Sequence, residues 1–255
     1  MSSIAALVQG SSFIFAGTIT APGKSSLRVL TDRPGLAIVR FDQAFLLNQV
    51  LGELDGRPIT VKLAQGGVGE GAVHQDQRFI FFATGWVHGK EIAVTELGRL
   101  LSDAKTDEEV SQAVAALPEL HLSQRIASAA LIVHGVVAQI ERATDIPNTA
   151  SEHDPAWMRA TIEVRETLKG ESAPAGVGRR PSSSKRTHAS LLFPGSGDVA
   201  FWNSPRVSKG QEAVFLLHRG GGRLPPSDLI APDPADIQPK DALPTVRRLI
   251  SAPPQ

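Results

Sequence analysis

Alternating apolar and polar residues predict several short β-strands, and the first two of them occur twice in the same order. Each copy has a strand with a central glycine, then a turn-rich segment, then a strand of regular alternation. The copies are residues 13–20 with 37–45, and residues 131–137 with 160–168. Placing Gly17 on Gly135 keeps the apolar positions of both strands in phase. The pattern therefore predicts a tandem duplication of one small β-domain.

The match extends beyond the first two strands. Further strands are predicted at residues 59–63, 78–83 and 91–95 of the first copy, and at 189–193 and 211–217 of the second, with Gln77 on Gln211. A glycine within a strand permits the bend by which a small sheet closes on itself. We therefore expect a mainly β fold with a few short helices, consisting of two tandem five-stranded barrels that arose by internal duplication. Gly17 and Gly135 are then structural residues.

The boundaries between domains follow from changes in the pattern. Residues 103–116 have helical periodicity, which we expect to end at Pro118, and a second helical segment covers about 120–130. The predicted domains are a first barrel (1–102), a helical linker (103–124), a second barrel with long loops (125–222) and a proline-rich tail (223–255). The tail should be mostly irregular, with a short closing helix at 245–251.

The predicted strand order resembles oligonucleotide/oligosaccharide-binding (OB) barrels. The segment Gly210-Gln211-Glu212-Ala213-Val214-Phe215-Leu216 is similar to a strand found in the netrin/metalloproteinase-inhibitor-like subgroup, and the first copy has Asp76 in place of that glycine. The resemblance covers about residues 7–95 and 126–217. Members that inhibit metalloproteinases use an N-terminal cysteine to bind zinc, and this chain has no cysteine. That activity is therefore not implied.

Composition excludes several classes of protein. Lys plus Arg equal Asp plus Glu at 26 each, so the net charge does not attract the chain to nucleic acid or to an anionic membrane. The absence of cysteine excludes disulfide scaffolds and thiol nucleophiles. The apolar stretches are too short for a transmembrane helix, and residues 1–8 do not resemble a secretory signal. We expect a cytoplasmic protein, with export as the alternative if a signal was removed.

Candidate chemistry is sparse. The glycine-rich segment 65–71 lacks the strand–loop–helix context of a phosphate cradle, so a flexible loop is the simpler interpretation. His74 and His153 lie near carboxylates, but at spacings typical of surface loops rather than metal sites. His134, beside Gly135, should face away from Val133 and be hydrogen-bonded or solvent-exposed. Ser196 lies in a Gly-Ser-Gly segment without the nucleophile-elbow spacing, so a hairpin loop is expected. We predict no catalytic residue, cofactor or metal.

These observations favour a non-enzymatic binding or scaffolding protein. Its partner would be another protein, bound through loops at the barrel ends or at the seam between the domains. The alternative is nucleic-acid binding by the second domain, because residues 165–223 contain 10 basic and 4 acidic side chains. A hydrolase or metal-dependent enzyme has the least support, and the sequence does not indicate an oligomeric state. The candidate contact residues are Trp86, Trp157, Trp202, Arg179, Arg180, Lys185 and Arg186.

Overall fold

The computed structural model describes residues 3–27, 29–47, 52–64, 73–88, 91–146, 153–170, 187–221, 224 and 228–252, with the backbone alone at 86–88. The described chain is mainly β and contains two closed five-stranded barrels in tandem, as the sequence predicts. This architecture is consistent with OB-like folds. The chain divides into two compact units, Met1–Pro118 and Glu119–Gln255.

The first unit begins with helix α1 (Ile4–Gly10), and five strands then close into a barrel. The strands are β1 (Phe13–Pro22), β2 (Leu36–Leu46), β3 (Pro58–Lys62), β4 (Arg78–His88) and β5 (Glu91–Leu101). Their order is β1-β2-β3-β5-β4, with β3 and β5 parallel and β4 paired to β1. Phe15 stacks between Phe41 and Phe81, with ring centroids 5.5 Å and 5.2 Å away. These buried rings form the centre of the core.

The second unit repeats this order. Its strands are β6 (Leu131–Arg142), β7 (Trp157–Lys169), β8 (His188–Pro194), β9 (Glu212–Arg219), β10 (Leu229–Ile230) and β11 (Ile237–Pro239). The ring is β6-β7-β8-β10-β9, and β11 pairs with β9 beside it. Like β5, the short strand β10 is parallel to one neighbour, β8, and antiparallel to the other, β9. The two barrels therefore have the same topology.

Strand register supports the predicted duplication in detail. Gly17 lies opposite Phe41 on β2, and Gly135 lies opposite Val164 on β7. The β1–β2 and β6–β7 ladders shift register at the same three positions relative to the glycine. A Cβ atom on Gly17 would lie 2.8 Å from the carbonyl oxygen of Arg40, and one on Gly135 would lie 2.6 Å from the equivalent oxygen. Neither position accepts a side chain, which confirms the structural role predicted for both glycines.

The turn before the fourth strand is also repeated. Asp76 and Gly210 both have left-handed backbone conformations, with φ of 67° and 85°. In each copy the next residue, Gln77 or Gln211, accepts a hydrogen bond at its side-chain oxygen from the amide three residues earlier, at 2.8 Å and 3.0 Å. Aspartate is one of the few residues other than glycine that adopt this conformation readily. The substitution of Asp76 for glycine therefore preserves the turn.

The helical segments differ from the prediction. Helix α2 (Ala104–Ser128) is continuous, and Pro118 lies inside it. An interior proline removes one backbone hydrogen bond and costs about 3 kcal/mol, which we expected to end the helix. The buried side chains of Val110, Leu117 and Ile126 lie on both sides of the proline. Their packing offsets the loss, so the helix continues.

The C-terminal tail is more ordered than predicted. It supplies β10, the fifth strand of the second barrel, beyond residue 222 where we expected the barrel to end. The predicted closing helix is α3 (Leu243–Ser251). Val246 of α3 packs with Ile126 of α2 and with Val214 and Leu216 of β9 on the outer face of the barrel. Apolar burial against the barrel therefore orders a segment whose proline content suggested an irregular chain.

Candidate functional site

Two exposed apolar side chains, Val199 and Trp202, lie in the connection between β8 and β9. This connection, residues 195–211, is hereafter the Trp202 loop. A single 3-10 turn, Val199–Phe201, precedes Trp202. The side chains of Trp202 and Val199 are 81% and 78% exposed, more than any other large apolar residue in the described part of the chain. The two residues lie three positions apart on the same turn, whereas single exposed apolar residues are common and need no explanation.

Local hydrogen bonds hold this turn in place. The Asp198 carboxylate accepts the backbone N–H of Ala200 at 2.7 Å and caps the 3-10 turn. Ser196 Oγ accepts the N–H of Asp198 at 3.1 Å. The guanidinium of Arg206 donates to the carbonyl oxygen of Ser196. The polar side chains of the loop are therefore used to fix the backbone from which Trp202 projects.

The start of the Trp202 loop is bound to the segment that precedes β7. The backbone N–H groups of Gly195 and Ser196 both donate to the carbonyl oxygen of Pro155, at 3.0 Å each. A Cβ on Gly195 would lie 2.5 Å from Cγ of Met158, so this approach requires glycine. Ala156 has a left-handed φ of 47°, which is strained for alanine. Backbone hydrogen bonds therefore join the start of the Trp202 loop to the segment before β7.

The Trp202 loop contains one carboxylate, Asp198, and two exposed cations, Arg206 and Lys209. His153 Nδ1 lies 3.0 Å from Asp198 Oδ2. The hydrogen bond from the Ala200 N–H, and then the one from His153, lower the pKa of Asp198 below its usual value. Arg206 and Lys209 are exposed and form no ion pair with a carboxylate of the described residues. The loop therefore combines two exposed apolar residues with two cations that have no ion pair among the described residues.

The other predicted contact residues are either partly buried or lie outside the described part of the structure. Trp157 is half-buried and packs against an apolar cluster of Ala143, Ile146, Leu192, Leu224 and Ile230. The backbone of Trp86 lies in β4, and its side chain is outside the described part of the structure. Arg179, Arg180, Lys185 and Arg186 also lie outside the described residues. Of the two tryptophans whose side chains the structure describes, Trp202 is the exposed one.

The histidines do not form a metal site in the described part of the chain, where no group of three or more His, Asp or Glu side chains is placed to hold an ion. His134 Nε2 lies 3.1 Å from Glu212 Oε1, which confirms the prediction of a hydrogen-bonded histidine. Arg165 also pairs with Glu212, and Lys240 approaches it at 4.0 Å. His153 Nδ1 pairs with Asp198 Oδ2 at 3.0 Å. These contacts link strands and loops.

A buried ion pair inside the first barrel was not predicted. Arg99 Nη1 lies 2.9 Å from both carboxylate oxygens of Glu96, and the side chains are 3% and 0% exposed. The N–H of Ala64 donates to the same carboxylate at 3.1 Å, and the guanidinium lies 5.5 Å from the ring centroid of Phe79. Burial raises the pKa of Glu96, against the opposing effect of Arg99. The sequence feature that could have predicted this pair is the charged residue Glu96 at an inward-facing position of β5, two residues after Val94.

A search for membrane-spanning helices and comparisons with known proteins do not identify a further site. No described helix combines the length and apolar character that a transmembrane span requires. Comparison with protein-family models and with curated proteins finds no match for the chain.

Proposed function

We propose that this chain is a non-enzymatic binding or scaffolding protein that contacts another protein through the Trp202 loop. The observation that carries this proposal is the 81% exposure of Trp202 on a turn with a capped, hydrogen-bonded backbone. We also propose that both barrels are related to the netrin/metalloproteinase-inhibitor-like subgroup of OB folds, because the turn at Gln77 is repeated at Gln211. That grouping concerns ancestry, and the contact surface is argued from the loop itself.

The energetics favour a protein partner. Burying a tryptophan side chain removes roughly 150–250 Å² from water, which at about 25 cal/mol per Å² is on the order of 4–6 kcal/mol. Little of this gain is lost to ordering, because Asp198, Ser196 and Arg206 already fix the backbone of the loop. Tryptophan is among the residues most enriched at the energetic centres of protein interfaces. Val199 beside it extends the apolar contact.

Nucleic-acid binding is the second candidate, and one observation favours it. Trp202 lies in a loop with two cations, Arg206 and Lys209, that form no ion pair with a carboxylate of the described residues. Aromatic rings on which bases stack, beside cations that contact phosphates, are typical of single-stranded nucleic-acid sites. Such binding would weaken steeply as salt rises, whereas apolar contacts of Trp202 with a protein would not.

The test is a quantitative capture experiment with the tagged full-length chain in its native host. Trp202→Ala should lose the specific partner, and the purified complex should weaken by about 2 kcal/mol or more, as expected for an interface centre. Leu101→Ala is the matched control, because Leu101 is an apolar residue of the first barrel that is 64% exposed. Capture of the same proteins by wild type and Trp202→Ala contradicts the proposal.

A parallel experiment separates the two candidates. Fluorescence anisotropy with a labelled single-stranded oligonucleotide is measured at about 50 mM and about 200 mM salt. Salt-sensitive binding that is lost in both Trp202→Ala and Lys209→Gln would replace the protein partner with nucleic acid. Absence of oligonucleotide binding, together with no retention on heparin at low salt, eliminates the second candidate.

A further inference from the structure

The first barrel has an open cleft on its outer face, about 460 Å³ in volume. Its lining residues come from the approach to β2, the end of β3 and the middle of β5. They are Arg33, Pro34, Gly35, Leu36, Lys62, Leu63, Ala64 and Thr95. The volume lies within the range of about 300–1,000 Å³ that small-molecule sites occupy in proteins. No acidic side chain is among the lining residues.

Two cations of the lining have no charge partner among the described residues. Arg33 and Lys62 are exposed, and neither forms an ion pair with a described carboxylate. The acidic residues adjacent in sequence to Arg33 and Thr95 are already engaged. Asp32 pairs with Lys24 at 2.8 Å, and Glu96, which follows Thr95, is buried with Arg99. Counting the residues that the structure describes, the cleft therefore has an unbalanced positive charge, which favours an anionic ligand.

The remaining lining suits a small organic molecule. Thr95 is half-buried and supplies a hydroxyl group on β5, while Pro34 and half-buried Leu63 supply apolar surface. Gly35 has a left-handed φ of 86°, and no atom lies within 4 Å of where its Cβ would be. The glycine therefore leaves space beside Arg33. A guanidinium binds carboxylate or phosphate groups through two parallel hydrogen bonds, and lysine adds a point charge.

The second barrel has filled the same position with apolar side chains. Lys62 lies opposite Leu36 on β2 and opposite Thr95 on β5. At the equivalent register, Leu192 lies opposite Arg159 on β7 and Ile230 on β10. Leu192 and Ile230 pack there with Trp157, Ile146, Ala143 and Leu224. The duplicated fold thus has a buried apolar cluster in one copy, and an open cleft with cations in the other.

We infer that the cleft of the first barrel binds a small organic anion, with its carboxylate or phosphate group between Arg33 and Lys62 and its apolar part over Pro34 and Leu63. This site is separate from the Trp202 loop. The second copy does not share the activity, because the positions of Lys62 and Thr95 are occupied there by Leu192 and Ile230.

The test uses nitrogen-15-labelled full-length chain and four probes. Phenyl phosphate and benzoate carry the two anionic groups, inorganic phosphate lacks the apolar part, and benzyl alcohol lacks the charge. The anions should cause saturable shifts of the amide signals of Gly35, Ala64 and Thr95, while benzyl alcohol causes none. The stronger of the two organic anions identifies the preferred group. Binding of inorganic phosphate as tight as phenyl phosphate would remove the apolar part from the proposal.

Matched variants decide whether the cleft itself is responsible. Arg33→Gln should weaken binding about tenfold, as expected for loss of one charged hydrogen-bonding group. The pair Lys62→Leu with Thr95→Ile introduces the residues of the second barrel and should abolish binding while leaving the remaining spectrum unchanged. Lys105→Gln removes a cation outside the cleft and should bind as wild type. Absence of saturable shifts in wild type, or equal affinity in the Lys62→Leu/Thr95→Ile variant, would overturn the inference.

Discussion

The two barrels differ most in the strand that closes each of them. In the first barrel β5 is continuous over 11 residues. In the second, β10 has 2 residues, and a 3-10 turn, Pro234–Asp236, separates it from β11. Thr95 of β5 and Ile230 of β10 nevertheless occupy equivalent positions in the two barrels. Arg99 of β5 and Ile237 of β11 are also equivalent, because Arg99 lies opposite Phe81 and Ile237 lies opposite Phe215. The same closure is therefore made by one strand or by two fragments.

Each barrel also buries a carboxylate near this point, but the partners differ. Glu96 pairs with Arg99 of its own strand, inside the barrel. Asp236 is 0% exposed and pairs with Arg125 of α2 at 3.1 Å, and with His218 of β9 at 3.3 Å. The first barrel thus closes with contacts local in sequence, whereas the interrupted strand of the second is held by a helix more than one hundred residues away. Topology is shared, and the means of closure is not.

The largest expected effect is at the buried pair. Glu96→Ala should destabilise the first barrel by about 3–5 kcal/mol, because it leaves the Arg99 guanidinium buried without its carboxylate. In the second barrel, the positions equivalent to Glu96 and Arg99 are occupied by Ala231 and Ile237. The double variant Glu96→Ala/Arg99→Ile copies these residue types into the first barrel and should recover at least half of the loss. Urea unfolding, followed by hydrogen exchange of first-barrel amides, measures both. A double variant as unstable as the single one would show that the two closures are not interchangeable.

The same group gives the first barrel a pH dependence. Because burial raises the folded pKa of Glu96 above its ordinary value of 4.5, the unfolded chain releases this proton first as pH rises. The contribution to stability is complete below the unfolded pKa and is lost as pH rises through the folded pKa. Glu96→Gln should remove this decrease, which begins as pH rises past the ordinary carboxyl pKa of 4.5. An unchanged slope in the variant would assign the pH dependence to another group.

The next largest effect tests the shared bend. Gly17→Ala and Gly135→Ala should each cost about 2–3 kcal/mol, because the new methyl group meets a carbonyl oxygen at 2.8 Å or 2.6 Å. Each variant should destabilise its own barrel, as measured by exchange of that barrel's amides. Gly197→Ala is the control, since no atom lies within 4 Å of its Cβ position. Unequal losses at the two glycines would show that the copies depend on the bend to different extents.

A smaller change is expected at the repeated turn. Asp76→Gly should stabilise the first barrel by about 0.5–1 kcal/mol, and Gly210→Asp should destabilise the second by a similar amount, because glycine carries no steric penalty at positive φ. Chemical denaturation of the two variants measures both changes. Changes of the same sign in both would contradict the equivalence of these turns.

The smallest effect concerns an ion pair whose polarity is reversed between the copies. Asp42 and Arg78 of the first barrel, 3.7 Å apart, correspond in register to Arg165 and Glu212 of the second. A double-mutant cycle with Asp42→Asn and Arg78→Gln should give a coupling energy of about 0.5 kcal/mol, as is usual for partly exposed pairs. A coupling energy near zero would show that the pair is retained without contributing to stability.

Features repeated in both copies could be predicted from the sequence, because each copy checks the other. Gly17 with Gly135 and Gln77 with Gln211 were matched in this way. The strand register confirms the glycines, and the backbone hydrogen bonds from Ile19 to Gln77 and from Val137 to Gln211 confirm the glutamines. The fifth strand of the second barrel could not be found, because Leu229 and Ile230 alone show no alternation. Its position depends on pairing with β8 and β9, which are distant in sequence.

Side-chain environments were harder to predict than strands. Trp202 was identified as a candidate contact, but its exposure depends on how Asp198 caps the turn. The pairing of Glu96 with Arg99 requires a break in the regular alternation of β5, and the sequence alone does not show where the strand shifts register. The cleft is formed by β3 and β5 in parallel, so Lys62 and Thr95 become neighbours only after the barrel closes.

The position of β10 near the end of the chain sets an order for folding during synthesis. All strands of the first barrel have been translated by Leu101, whereas the ring of the second is incomplete until Ile230. At about 5–20 residues per second, the ribosome needs on the order of ten seconds between these points. Barrels rich in non-local pairing fold within roughly milliseconds to seconds. The first barrel should therefore be folded while the second still exposes the edges of β8 and β9, which makes nascent chains stalled before Ile230 the form most exposed to aggregation.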